Sequence, residues 1–174
     1  MSERWTMQRR VLAFGLGLTI LSVAALFFLS GSRNAPAVTF TTLTGQQIGA
    51  EELHGKVILV NFWATTCAVC VREMPQIVET YRAYAPRGFE VVAVAMPYDR
   101  PDWVVDYARR QALPFKVALD YDAKLNRAFG GIDITPTSFL IDKRGKIIQR
   151  IVGEPDFARL RAAIERELAR PVSG

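Results

Sequence analysis

Histidine and cysteine are scarce: the 174 residues contain one histidine, His54, and two cysteines, Cys67 and Cys70. A disulfide-dense scaffold is therefore excluded. So is a tetrahedral zinc site built by this chain alone, because zinc usually takes four Cys or His ligands. Neither a metal nor another cofactor is expected. Internal repeats and low-complexity tracts are also missing. No strong excess of one charge is present: 22 basic and 17 acidic side chains leave +5. Arg4, Arg9, Arg10 and Arg33 against Glu3 put +3 of that in the first 33 residues. The other 141 residues carry only +2, which gives a nucleic acid no footprint. With 50% hydrophobic and 22% charged residues, the chain is not disordered throughout.

What is present first is a charge-free run from Val11 to Leu29, nineteen residues long. As a helix it would reach roughly 28 Å, close to a hydrocarbon core of about 30 Å. The flanking arginines would keep residues 1–10 as a cytoplasmic tail and send the rest of the chain outward. The run is longer than the usual apolar region of a signal peptide. Ala35-Pro36-Ala37 nevertheless offers a cleavage site, so anchor and removed signal both stand. Either way the body is exported. The expectation is a single-pass inner-membrane protein at 11–29, a linker at 30–37 and a folded domain at 38–174 facing the periplasm.

In the body, Val38–Leu43 alternates weakly and reads as a first strand, with a turn at Gly45 and a short helical piece at Ala50–Leu53. Val57–Trp63 is a nearly continuous β-prone run, as expected of a strand buried on both faces. Cys67–Tyr84 reads as a helix, with Val71, Met74, Ile77, Val78 and Tyr81 at helical spacing and Pro75 inside it as an expected kink. Strands are expected at Glu90–Met96 and Phe115–Leu119, and helices at Asp102–Gln111 and Ala123–Phe129. Thr137–Ile141 and Ile147–Val152 form a hairpin around Asp142-Lys143-Arg144-Gly145. A last helix runs from Pro155 to Ala169. Alternating strands and helices with a final hairpin predict an α/β fold whose central sheet is mixed.

Cys67-Ala68-Val69-Cys70 follows a buried strand and opens a helix. At that place unpaired backbone N–H groups and the helix dipole favour a thiolate on Cys67, the form that attacks disulfides. Cys70 falls one turn on and can resolve a mixed disulfide. A purely structural bond would close four residues and contribute about 2 kcal/mol, against about 3 kcal/mol for a fifteen-residue loop. Haem attachment needs histidine after the second cysteine, where Val71 stands.

Val60-Asn61-Phe62-Trp63-Ala64 and Ile134-Thr135-Pro136-Thr137-Ser138-Phe139-Leu140-Ile141-Asp142 resemble the thioredoxin superfamily. Cys67 to Pro75 resembles the C-x-x-C-x-x-E-x-P signature of its TlpA/ResA-like exported members. The resemblance spans roughly 38–170, including an extra helix and strand near 97–119. It implies a thioredoxin-like fold and thiol–disulfide oxidoreductase activity. It also implies a cis proline at Pro136 facing the cysteines, with Thr135 beside it as a client-binding residue. The implied partners are client protein disulfides, in cytochrome c maturation or oxidase copper-centre assembly, and a membrane thiol reductant as electron donor. A disulfide donor or isomerase, or a Cu(I)-holding metallochaperone-like module, stays open as an alternative.

Two departures bear on the site. Thr66 stands where most relatives carry tryptophan, which removes an apolar platform beside the attacking sulfur and bears on partner choice. Asn61 stands where cytosolic thioredoxins bury an aspartate, and an amide carries no proton. Glu73, three residues after Cys70, is the candidate to move that proton. Trp63 is either a lining residue of the client site or core. His54 lies before the strand that precedes Cys67, so a Cys-His hydrolase is not expected. The peroxidase pattern of the superfamily needs threonine or serine three residues before its cysteine, where Ala64 stands.

Overall fold

Two strands without a polar face make the spine of the molecule. The computed structural model describes residues 34–171. Within it β3 (Val57–Trp63) and β4 (Phe89–Ala95) are buried at every position. They run parallel, in register from Val57↔Phe89 to Trp63↔Ala95. Strands covered by helices on both sides read as continuous apolar runs, which is why the period-2 signal is missing from them. The sheet order is β5-β4-β3-β6-β7, with β5 at Lys116–Leu119, β6 at Thr137–Ile141 and β7 at Ile147–Val152. β5 joins β4 in parallel, while β6 runs antiparallel to both β3 and β7. The sheet is mixed, as expected.

The helices are α1 (Ala50–Leu53), α2 (Ala68–Tyr84), α3 (Pro101–Arg110), α4 (Lys124–Ala128) and α5 (Phe157–Ala169). Alternation along β3 divides the core. Val57, Leu59 and Trp63 pack with Met74 and Ile77 of α2, Val104 of α3 and Leu160 and Ile164 of α5. Ile58, Val60 and Phe62 pack on the other face with Phe40, Ile48, Leu125 and Phe129. α2 continues through Pro75. A proline in a helix interior costs about 3 kcal/mol, so the buried face of α2 must outweigh it.

Several expected elements differ at their ends. The first strand is Phe40–Thr41, shorter than Val38–Leu43, and it pairs with an additional strand β2, Gln47–Ile48. Its neighbour Thr42 bridges Ala118 on the edge of β5. The described part of the expected linker is not free: the Ala35 amide donates to the Gly145 carbonyl at 2.7 Å.

The amino-terminal membrane helix is a correction. Among the described residues no helix is long and apolar enough to cross a membrane. The longest, α2, has 17 residues and carries Arg72, Glu73, Glu79 and Arg82, and charges of that number are costly in hydrocarbon. The span expected at 11–29 lies outside the described residues, as does the tail at 1–10. The fold class is therefore a thioredoxin-like α/β domain with no spanning helix among the described residues. The membrane as a partner, and a single-pass inner-membrane location with the domain in the periplasm, are not retained.

Candidate active site

Parallel and antiparallel pairing together bring three loops to one end of the sheet. β3 and β4 both end there, and β6 begins there, since Phe62 pairs with Thr137. The loop after β3 carries the cysteines, the loop before β6 carries Pro136, and the loop after β4 runs from Met96 to Arg100.

Cys67 is the N-cap of α2, with extended backbone, and its sulfur accepts from the Cys70 amide at 3.2 Å. It is bonded to Cys70, with the two Cα atoms 5.2 Å apart, inside the usual disulfide range. Their exposures differ: Cys67 is half-buried, whereas Cys70 is fully enclosed. An amide aimed at the Cys67 sulfur and the positive end of α2 both favour negative charge there.

The Thr135–Pro136 peptide is cis. The Thr135 carbonyl oxygen lies 3.6 Å from the Cys67 sulfur. Thr135 is half-buried and Pro136 is buried. The loop is held by the Gly153 amide, which donates to the Pro136 carbonyl at 2.8 Å, and by the Thr137 hydroxyl, which donates to the Ile134 carbonyl at 2.7 Å.

One helical turn beyond Cys70 lies a buried polar group. Glu73 has no exposed surface. The Asn61 amide nitrogen donates to Glu73 Oε1 and to Ser138 Oγ, each at 2.9 Å. Asn61 and Ser138 are direct partners across β3 and β6. Among the described residues, Glu73 Oε2 and Asn61 Oδ1 have no hydrogen-bond partner. Burial pushes the Glu73 carboxyl up from 4.5 to about 7. The Asn61 hydrogen bond and the Arg72 charge oppose that rise, and the Glu154 charge adds to it. A carboxyl near 7, one helical turn beyond Cys70, is matched to moving a proton at neutral pH.

Other candidates are distributed unevenly. Thr66 is exposed beside Cys67. Trp63 is fully buried, 5.1 Å from the Tyr107 ring, so it supports the site from below and does not line its surface. His54 precedes β3 and Cys67 follows it, so seven strand residues, roughly 20 Å, lie between them. Among the described residues no group of three His, Cys, Asp or Glu side chains is placed to hold a metal.

Asp99 was not singled out in the sequence. It is buried, and its carboxylate accepts from the Thr65 amide at 2.5 Å, the Thr65 hydroxyl at 2.6 Å and the Arg100 amide at 3.0 Å. It therefore anchors the loop two residues before Cys67. Beside it, the Tyr98 hydroxyl stands 3.3 Å from the Thr135 hydroxyl. A signal existed: in parallel sheets, sites form at the carboxyl ends of strands, and Asp99 follows such an end.

The family model for Redoxin matches residues 30–164. The chain belongs to the redoxin family. Within it, this redoxin is 36% identical over 135 residues to the thiol-disulfide oxidoreductase ResA of Bacillus anthracis, covering 77% of this chain and 76% of the relative. A solution structure from Neisseria meningitidis is 40% identical, with a TM-score of 0.76 over 83% of this chain and 95% of that one. A thiol:disulfide interchange protein of Chlorobium tepidum TLS is 32% identical, with a TM-score of 0.73 over 80% and 98%. The redoxin is a ResA-like thiol–disulfide oxidoreductase: family, fold and a bonded cysteine pair at the head of α2 agree.

Proposed function

We infer that the reduced protein reduces disulfides in client proteins, with Cys67 attacking and Cys70 resolving. The observation that carries this reading is the unequal exposure of the two sulfurs: Cys67 is half-buried, whereas Cys70 is enclosed, one helical turn before Glu73. The Cys67 thiolate attacks one client sulfur, the client S–S bond breaks, and the other client sulfur leaves as a thiolate. Cys70, its proton passed to Glu73, then attacks the Cys67 sulfur and releases the second client thiolate. Two electrons have moved, the client holds two thiols after proton uptake, and Cys67–Cys70 is a disulfide. A dithiol protein of lower potential must restore it.

Thr66, Thr135 and Pro136 flank the sulfur that a client meets first. The clients we assign, on resemblance, are proteins whose cysteines must be free before haem or copper is attached.

The test is the reduction potential of the Cys67–Cys70 couple, measured by equilibration in a dithiothreitol redox buffer. A value near −270 mV, as in thioredoxin, is expected of a reductant. A value near −120 mV belongs to a disulfide donor and would overturn the direction.

A further inference from the structure

Tyr98 is 61% exposed, yet it is not loose. Its hydroxyl stands 3.3 Å from the Thr135 hydroxyl, and the carbonyl of that same threonine is 3.6 Å from the Cys67 sulfur. The next residue, Asp99, is bonded through its carboxylate to the Thr65 amide and hydroxyl. The turn bearing Tyr98 is thus tied to the loop before Cys67 and to the loop bearing Pro136. Ile134, next to Thr135, is 60% exposed. Two large apolar side chains therefore face water around the one accessible sulfur, while Thr66 offers no apolar platform. Of the nearby charges, Arg100 pairs with Asp102 at 2.7 Å and its guanidinium lies 4.8 Å from the Trp103 ring centre, while Asp133, next to Ile134, is exposed. What this rim offers a client is two large apolar side chains, with one exposed carboxylate beside Ile134.

We propose that Tyr98, together with Ile134, selects clients that carry a bulky apolar side chain beside the cysteine under attack. Consecutive Cα atoms are 3.8 Å apart, so the neighbour of a client cysteine bonded to Cys67 lies within reach of groups flanking that sulfur. Rigid aromatic anchors lose little entropy on binding and dominate contact energies at interfaces. The tether holds the Tyr98 ring at the rim before the client arrives. The proposal rests on the reading of Cys67 as the attacking sulfur.

The test uses the full chain, fully reduced, and two synthetic disulfide peptides identical except for leucine or serine beside one cysteine. The readout is the ratio of their second-order reduction rates. The wild type is expected to reduce the leucine peptide about tenfold faster. Tyr98→Ala should bring the ratio close to one, and Tyr98→Phe, which lacks the tethering hydroxyl but keeps the ring, should retain most of it. A purely structural role would slow both peptides alike and leave the ratio unchanged. Equal rates in the wild type, a ratio surviving in Tyr98→Ala, or its loss in Tyr98→Phe would each overturn the proposal. A wild type that reduces neither peptide overturns the underlying reductase reading as well.

Discussion

Asn61 and Glu73 share a hydrogen bond of 2.9 Å across the interface between β3 and α2. The amide donates, so the carboxyl accepts in either protonation state, and the bond opposes the effect of burial on its acidity. Asparagine is not a proton carrier here. It orients the residue that can be one, and its amide nitrogen also donates a hydrogen bond to the Ser138 hydroxyl.

Glu73→Gln keeps the shape and removes the titration. Resolution requires Cys70 to lose a proton, and an ionised Glu73 would oppose a thiolate beside it. We expect slower exchange and the loss of a step near pH 7 in the rate profile, where the carboxyl titrates. Rate profiles for client reduction and Cys67 alkylation, taken from pH 5 to 9 in roughly half-unit steps, check this. Superimposable profiles for the two proteins would make Glu73 an ordinary helix carboxylate.

The same carboxyl makes stability depend on pH. Its folded value is about 7 against 4.5 ordinarily, so between those values the folded state binds the extra proton. Its contribution is fully present below 4.5 and is lost as pH rises through about 7. At 1.36 kcal/mol per unit, the loss is about 3 kcal/mol as an order of magnitude. Urea unfolding of the oxidised protein at both ends of this window should show it, and Glu73→Gln should flatten it. Equal slopes with and without the carboxyl would contradict the burial argument.

Trapping distinguishes the two sulfurs. Cys70→Ser is expected to accumulate a mixed disulfide through the half-exposed Cys67, because nothing resolves it. Cys67→Ser should trap little, since Cys70 is enclosed. Mass spectrometry of the adducts decides, and comparable trapping through Cys70 would reverse the assignment.

Asp99→Asn should act on Cys67 from a distance. Its carboxylate accepts from the Thr65 amide, the Thr65 hydroxyl and the Arg100 amide, and an amide turns an N–H toward one of these donors. Hydrogen bonds to charged groups are worth about 1.5–3 kcal/mol, and a loss of about 2 kcal/mol is expected. The loop carrying Cys67 would loosen at the same time. Alkylation of Cys67 across pH should therefore change its midpoint. A stability loss with an unmoved midpoint would mean that Asp99 serves the fold alone.

How much of this could be read in the sequence depended on distance along the chain. Val57–Trp63, Thr137–Ile141 and Ile147–Val152 were legible to the residue, because continuous apolar runs and a turn signal mark strands locally. Glu73 was legible as a candidate from its spacing after Cys70. Its setting was not: Ser138 lies 77 residues from Asn61, and only the register of β6 on β3 joins them. Asn61 was read for the proton it lacks, not for the carboxyl it orients. β2 was missed because two residues, Gln47 and Ile48, are too few to show a period. Asp99 has only its place after the carboxyl end of β4 to mark it, because its loop carries no motif.

The strands meeting at the cysteine end give the molecule separate inheritable parts. Asn61, Glu73 and Ser138 belong to β3, α2 and β6, and changing them disturbs the buried layer on which the sheet depends. Tyr98 and Ile134 belong to connections, where replacement disturbs no ladder. Client preference and redox chemistry can therefore change separately: exchanging Tyr98 and Ile134 while leaving Asp99 in place would alter preference and spare the loop that carries Cys67.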